Sequence, residues 1–562
     1  MSSLKKIEYI LPVSFLSLSI FLTLFVFRFT DDNRLISWNW VFNDSDIVKI
    51  SFILVLSIII AYLVSTLSFP ERVPSITLFL FSFVAILPFW REPEVIVDVS
   101  RYFTQAKHLE LYGTSYFLRE WGKDIMAWTD MPLIPFLYGI IFKFFGENRI
   151  YIQVFTTLLF STTVVLTYNI GKTLWDENTG YIAGLLLLGI PYLFTQIPLV
   201  LVDVPTMFFL TFSIFTFIKA MEKGRIWMNT VAAVAIFFAI FSKYSTWPML
   251  SILVIIFLVY RTPNSKLRTH NYIYRSLVIA LISGALTAAV FLSKLDFFLE
   301  QIKFLMTYQK AGLGRWSESF TSTFLFQIHP FITVSALYSA YVAFRKRDIR
   351  YVIISWLFII VVLFQIKRIR YIIPLFPMFT LMASYGLQHI MDRELRRFVV
   401  SCIVFFSLSI AIFAYLPLLQ KMSAVNLMDA GKFLNSLDIE EVEVLILPST
   451  DTPVNPAVSV PALDLFTRKK VIYSYNPEIF HPEGEIEKSP LRFTWEYKNP
   501  IYYNIDKKNS KKDVAIVVIS SDSDQTIPYK IEQRIKNFQK SKVFRTSEEI
   551  FRYKTFVTIY YD

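Results

Sequence analysis

Apolar runs of 15 to 22 residues recur along this chain from Tyr9 to Leu416, and that repetition leaves few folds open. A helix needs ~20 apolar residues to cross the hydrocarbon core, and a core helix of a soluble protein seldom needs so many so often. With 54% hydrophobic and 17% aromatic residues and a mean hydropathy of +0.49, the 562 residues read as a polytopic α-helical membrane protein. The net charge of +12 does not point to nucleic acid, because the basic residues cluster in short loops between the runs. Such loops carry the positive-inside signal and attract anionic membrane lipids. One cysteine, Cys402, lies within an apolar run and excludes any disulfide inside the chain. Lys5-Lys6 followed by Tyr9–Phe27 reads as a first span rather than a cleaved signal, since no small-residue cleavage site follows.

Charge orients the runs. Arg261 to Arg275, Arg345-Lys346-Arg347 and Arg393 to Arg397 are basic turns. If they are cytoplasmic, so is the N-terminus, and everything after Leu416 is outside. Between the run ending near Trp90 and the run beginning near Ile150 lies a weaker one, Pro132–Phe145, of about 14 residues with prolines at 132 and 135. It is too short to cross and is placed as a helix along the outer interface. About thirteen transmembrane helices remain, and Asp98 and Asp203 then fall on the same outer face.

After Leu416 the apolar density falls and charged residues, Asn and Pro rise. Asn426–Leu437 has helical periodicity, and residues 442–447 and 514–519 read as buried strands. Ile527–Lys540 reads as a helix and Thr555–Tyr561 as a closing strand. The expected division is therefore a transmembrane catalytic domain over residues 1–416 and an extracytoplasmic soluble α/β domain over 417–562.

Two carboxylates stand out. Asp98 follows a span, and Asp203 sits between two apolar runs in Leu201-Val202-Asp203-Val204-Pro205. Carboxylates at such positions must reach water, a partner or a substrate, or else merely mark where a helix leaves the lipid. On a helix Asp98, Tyr102 and Ala106 share one face. The chain contains no P-loop, no Gly-x-Gly-x-x-Gly and no His/Cys cluster, and no pair of broken helices with matching halves of the kind transporters use.

Several features in order form a recognisable pattern: Asp98 with Tyr102-x3-Ala106, a proline-led helix ending Phe144-Phe145-Gly146, and Leu201-x-Asp203. Phe241-Ser242-Lys243-Tyr244 and Lys367-Arg368-Ile369-Arg370-Tyr371-Ile372-Ile373-Pro374-Leu375-Phe376-Pro377 follow. Together, over roughly Glu92 to Gln388, they resemble the GT-C membrane glycosyltransferases, nearest the protein O-mannosyltransferase and aminoarabinose-transferase families.

The resemblance implies an inverting hexosyl- or pentosyltransferase that takes sugar from a polyprenyl-phosphate donor, dolichyl or undecaprenyl in type. The acceptor would be a hydroxyl on a protein, lipid or glycan at the outer face of the plasma membrane. It implies Asp98 as general base, and Asp203 as a second acid organising the site or, with Asp98, holding a divalent cation such as Mg2+ or Mn2+. Arg370 with Tyr371, Arg368 and Lys243 are expected on the donor phosphate. Lys367 is expected to snorkel to headgroups.

Where the aminoarabinose branch has a basic residue before its proline-led helix, this chain has Asp130. It reads either as a helix N-cap or as a contact for an ion or sugar hydroxyl. Tyr308, Lys310 and Arg315, beside Gly312 and Gly314, suit a lid over a lipid phosphate and equally an interfacial loop. Two rival functions are carried forward: a transporter or flippase of lipid-linked sugars, and a non-catalytic receptor whose outer domain binds ligand.

Overall fold

The computed structural model describes residues 3–43, 46–67, 73–223, 225–262, 271–306, 318–447, 454–473, 498–504, 514–546 and 554–562. Among these, seven helices are long and apolar enough to cross a membrane, from Tyr9–Val26 to Arg393–Leu419. Four shorter apolar helices, Leu133–Phe145, Ile226–Ser242, Thr246–Arg261 and Tyr351–Leu363, accompany them. The chain is a multi-pass helical membrane protein with a mixed β-sheet region at its C-terminal end.

Three runs that look continuous in the sequence are broken. Tyr181–Leu201 ends as a helix at Leu187, makes one turn at Pro191–Phe194, and resumes helix only at Asp203. Pro191 has no N–H to offer the preceding turn. Gly189 lies where a Cβ would stand 2.6 Å from Ile403. Residues 182–207 are all buried, so this irregular backbone meets protein rather than lipid, the condition under which it is tolerated.

The run starting at Tyr244 divides into Thr246–Met249 and Ile252–Arg261, with Thr246 Oγ1 donating to the Ala239 and Lys243 carbonyls, each at 2.7 Å. The run starting at Tyr371 opens with a tight turn, Ile373–Leu375, at Pro374 before Phe376–Leu387 begins. Charged residues stand near these irregular stretches: Asp203 begins a helix, Lys243 is the C-cap residue of Ile226–Ser242, and Arg370 lies in the one-turn helix Ile369–Ile372.

Between the third and fourth long helices the chain forms the helix Val99–Glu120, interrupted at Gly113 (φ 86°, ψ 171°), a conformation that suits glycine. The 13-residue helix Leu133–Phe145 packs against it. At ~20 Å this helix is shorter than the ~30 Å hydrocarbon core. Gly139 permits the approach: a Cβ there would stand 2.6 Å from Leu109 Cβ and 2.8 Å from the Ala106 carbonyl oxygen.

The C-terminal sheet has strands β1 (Glu441–Ile446), β2 (Lys470–Ile472), β3 (Val514–Ser520), β4 (Lys540–Phe544) and β5 (Phe556–Tyr561), in the order β2-β1-β3-β5-β4. β1 runs parallel to β2 and β3, and β5 runs antiparallel to β3 and β4. The helix expected over 527–540 is only Tyr529–Ile535, entered after Pro528, and residues 540–544 form an edge strand instead. The lysines at 540 and 542 of that edge are exposed, as protected edges commonly show.

The two parts meet around Val97. Its side chain packs in the core of the sheet region with Leu427, Leu463 and Tyr503, while Val95 and Val99 pack into the helical core.

Candidate active site

Residues 92–95 have no regular secondary structure, the chain bends at Ile96, and the helix starting at Val99 has Asp98 as its N-cap residue. Asp98 makes no side-chain capping bond, so its carboxylate is not spent on the N–H groups of its helix. The segment is anchored by Glu94, whose Oε1 accepts from Arg149 Nε at 2.7 Å and from the Val200 N–H at 3.2 Å. Tyr138 adds a bond to the Leu201 carbonyl at 2.6 Å. These contacts bring the turn before Asp203 against the segment before Asp98.

The two aspartates meet on one arginine. Arg370 Nη1 donates to Asp98 Oδ2 at 2.6 Å, and Arg370 Nε donates to Asp203 Oδ2 at 2.8 Å. Lys243 Nζ donates to the other oxygen of Asp203 at 2.5 Å. Asp203 is 1% exposed and Arg370 6% exposed, so this is a buried, charge-assisted chain of hydrogen bonds. Asp203 in the first helical turn and Lys243 just beyond a helix C-terminus also match the helix dipoles.

A second arginine flanks Asp98. Arg101 lies 3.2 Å from Asp98 Oδ1 and 3.3 Å from Asp130 Oδ2. Gln105 Nε2 donates to Asp130 at 3.2 Å and to the Met126 carbonyl at 2.9 Å. Asp130 is not a helix cap: the helix Leu133–Phe145 has Pro132 at that place and no side-chain capping bond. Trp128, two residues earlier, holds φ 49°, uncommon for a bulky residue. Burial favours the neutral form of Asp98, but the charges of Arg370 and Arg101 outweigh it and hold the carboxyl below its usual range. At Asp130 burial wins over Arg101 and the pKa is raised. The two neighbouring carboxyls are thus shifted in opposite directions.

Tyr102 is buried beside this group, with the Arg101 guanidinium 5.4 Å from its ring centroid. Tyr371 stands between two cations: Lys243 Nζ is 5.6 Å and Arg368 5.2 Å from its ring centroid. Arg368 Nη1 reaches the Tyr371 hydroxyl at 3.4 Å, and its Nε is 3.7 Å from Glu318. Lys367 is exposed and joins the framework through its carbonyl, which accepts from Thr323 Oγ1. Tyr308, Lys310 and Arg315 lie outside the described residues.

Asp98, Asp130, Asp203, Lys243 and Arg370 thus form one connected group, with Arg101 and Gln105 as members not singled out from the sequence. Their signal was present: Arg101 and Gln105 follow Asp98 by three and seven residues, the spacing of one helix face.

The divalent cation expected between Asp98 and Asp203 does not fit this donor set. The Arg370 guanidinium fills that place, and Lys243 takes the remaining Asp203 oxygen. Among the described residues no group of three or more His, Cys, Asp or Glu side chains could hold a metal ion.

Residues 130–289 match the family described as dolichyl-phosphate-mannose-protein mannosyltransferase, a stretch that contains Asp130, Asp203 and Lys243. An uncharacterized protein of Aquifex aeolicus (strain VF5) is 23% identical over 255 residues, 44% of this chain and 50% of that protein. The chain therefore spans about half the length of the curated relative it matches. The apo crystal structure of ArnT from Cupriavidus metallidurans is similar over 86% of this chain and 97% of its own, at 12% identity and a TM-score of 0.53. The same protein bound to undecaprenyl phosphate is similar over 87% and 98%, at 12% identity and a TM-score of 0.52. The chain has the fold of the GT-C membrane glycosyltransferases and resembles the mannosyltransferase-like members of that group.

Proposed function

We propose that this protein transfers a sugar from a polyprenyl-phosphate donor to an acceptor hydroxyl at the outer face of the plasma membrane. The observation that carries the reading is the buried chain Asp98–Arg370–Asp203–Lys243, in a fold that in ArnT binds undecaprenyl phosphate. A transporter or flippase needs cations for phosphate but no carboxylate held in a fixed direction.

In this reading Asp98 accepts the proton of the acceptor hydroxyl as its oxygen bonds to the anomeric carbon. The bond from that carbon to the phosphate oxygen breaks, and the polyprenyl phosphate departs with the pair of electrons. Inversion follows from attack opposite the leaving group. Arg370 spans the two aspartates with Nε and Nη1, so we assign it to aiming Asp98 rather than to gripping phosphate. The leaving phosphate falls to Lys243 and Arg368, whose side chains are 20% and 18% exposed on either side of Tyr371.

We further propose that residues 1–416 form the catalytic membrane domain with thirteen crossings, the broken run 181–201 included, and that 417–562 form an extracytoplasmic domain. The N-terminus is then cytoplasmic.

The test uses the full chain in proteoliposomes with undecaprenyl-phosphate-linked sugars, beginning with mannose, and a membrane extract of the source cells as acceptor pool. Asp98→Asn should lower transfer by ~10²–10⁴-fold while undecaprenyl phosphate still binds. Movement of the donor between leaflets without transfer, unchanged in Asp98→Asn, would favour the flippase.

A further inference from the structure

The helix that begins at Asp98 is gripped from two sides. Asp98, Arg101, Tyr102 and Gln105 share the face that meets Arg370 and Asp130. Lys107, nine residues on, stands about half a turn away around the axis and ~13 Å along it. There Lys107 Nζ donates to Asp464 Oδ2 at 2.6 Å and to Glu147 Oε1 at 3.1 Å. Asp464, 1% exposed at the end of the helix Pro456–Asp464, also accepts from the Tyr503 hydroxyl at 2.6 Å. Apolar contact accompanies the ion pair: Val97 lies in the core of the sheet region, and the rings of His108 and Tyr502 are 5.0 Å apart.

We propose that Lys107 and Asp464 are positioning residues: their ion pair, shared with Glu147 and Tyr503, clamps the helix Val99–Glu120 to the C-terminal region and thereby fixes the direction of the Asp98 carboxylate. The consequence for catalysis rests on Asp98 being the base; the clamp itself does not. The geometry supports a mechanical link. A cluster that ties a lysine of this helix to two other chain segments is a poor candidate for surface solvation. Val97 packs in the core of the sheet region while the next residue, Asp98, pairs with Arg370, so any shift of the C-terminal region turns the peptide that carries the carboxylate. A displacement of about 1 Å in a reacting group costs on the order of a hundredfold in rate.

The experiment compares Asp464→Asn, Lys107→Met and the double variant in the full chain in nanodiscs. Hydrogen exchange of the segment 95–109 should quicken in each single variant, with no further gain in the double, because both remove one interaction. Transfer should fall by about tenfold to a hundredfold, with the apparent KM for the donor within about twofold of the parent. Restoring part of the contact with Lys107→Arg should recover part of the rate. Unchanged exchange over 95–109 in both single variants overturns the clamp, whatever the activity. If Lys107→Met does not fold, Tyr503→Phe beside Asp464→Asn gives the same comparison. Quickened exchange together with normal transfer in Asp98→Asn would retain the clamp and reject Asp98 as base.

Discussion

Arg370 and Asp98 lie 272 positions apart in the chain and 2.6 Å apart in the fold, Nη1 to Oδ2, with the same guanidinium holding Asp203 through Nε. An arginine in this place does three things at once. It pairs with two buried carboxylates, sets their separation, and lowers the pKa of Asp98. A residue that only gripped the substrate phosphate would do none of these.

Substitution of Arg370 therefore acts on both stability and acid response. Arg370→Ala leaves two buried carboxylates without their shared cation, a change that costs on the order of 3–5 kcal/mol in buried pairs. Arg370→Lys keeps a charge but cannot reach two partners with a rigid fork. In it the Asp98 pKa should rise from its depressed position, because Arg370 is the largest charge lowering it. Protonated Asp98 is inactive, so the acid limb of the kcat/KM profile should move to higher pH. An unmoved limb with normal transfer would detach Asp98 from the titrating step.

Lys243 and Arg368 should govern donor affinity. Lys243→Ala and Arg368→Ala each remove one cation beside Tyr371 and should weaken binding of undecaprenyl phosphate by about tenfold, the scale of one charge-assisted hydrogen bond. Lys367→Ala, an exposed neighbour, should change it little. Titration of a fluorescent polyprenyl phosphate into the purified variants measures all three.

Glu147 gives the Lys107–Asp464 cluster a pH dependence. Burial raises its pKa to about 8, Asp464 and Glu110 add to the shift, and Lys107 opposes it. The folded state thus holds a proton that the unfolded chain, with a carboxyl near 4.3, has released. That contribution to stability is complete below the unfolded value and is lost as pH rises through about 8. Melting midpoints measured from pH 5 to 9 should fall with rising pH, and Glu147→Gln, which carries no ionisable proton, should flatten the slope.

Topology can be read with one reagent. On a Cys402→Ala background, a cysteine placed at Asn148, between the short helix Leu133–Phe145 and the long helix Arg149–Leu174, should label from outside. Labelling only from the cytoplasm would make the short helix a crossing and separate the proposed sides of Asp98 and Asp203.

What the sequence determined by itself was local. Apolar run length made the chain a membrane protein, strand-like runs at 442–447 and 514–519 announced a sheet, and isolated charges at run ends marked Asp98, Asp203, Lys243 and Arg370. Each of these follows from how a short stretch of backbone meets lipid or water. The tertiary structure decided who meets whom. That Arg370 bridges two aspartates, that Asp130 faces Arg101 instead of capping a helix, and that Lys107 pairs with Asp464 depend on segments tens to hundreds of residues apart. Helical spacing could align Arg101 and Gln105 with Asp98, but it could not say what that face would meet. Nor could periodicity foresee the breaks at 188–202, because a buried irregular segment is as apolar as a helix, and only the protein packed around it supplies partners such as Glu94 and Tyr138 for its backbone.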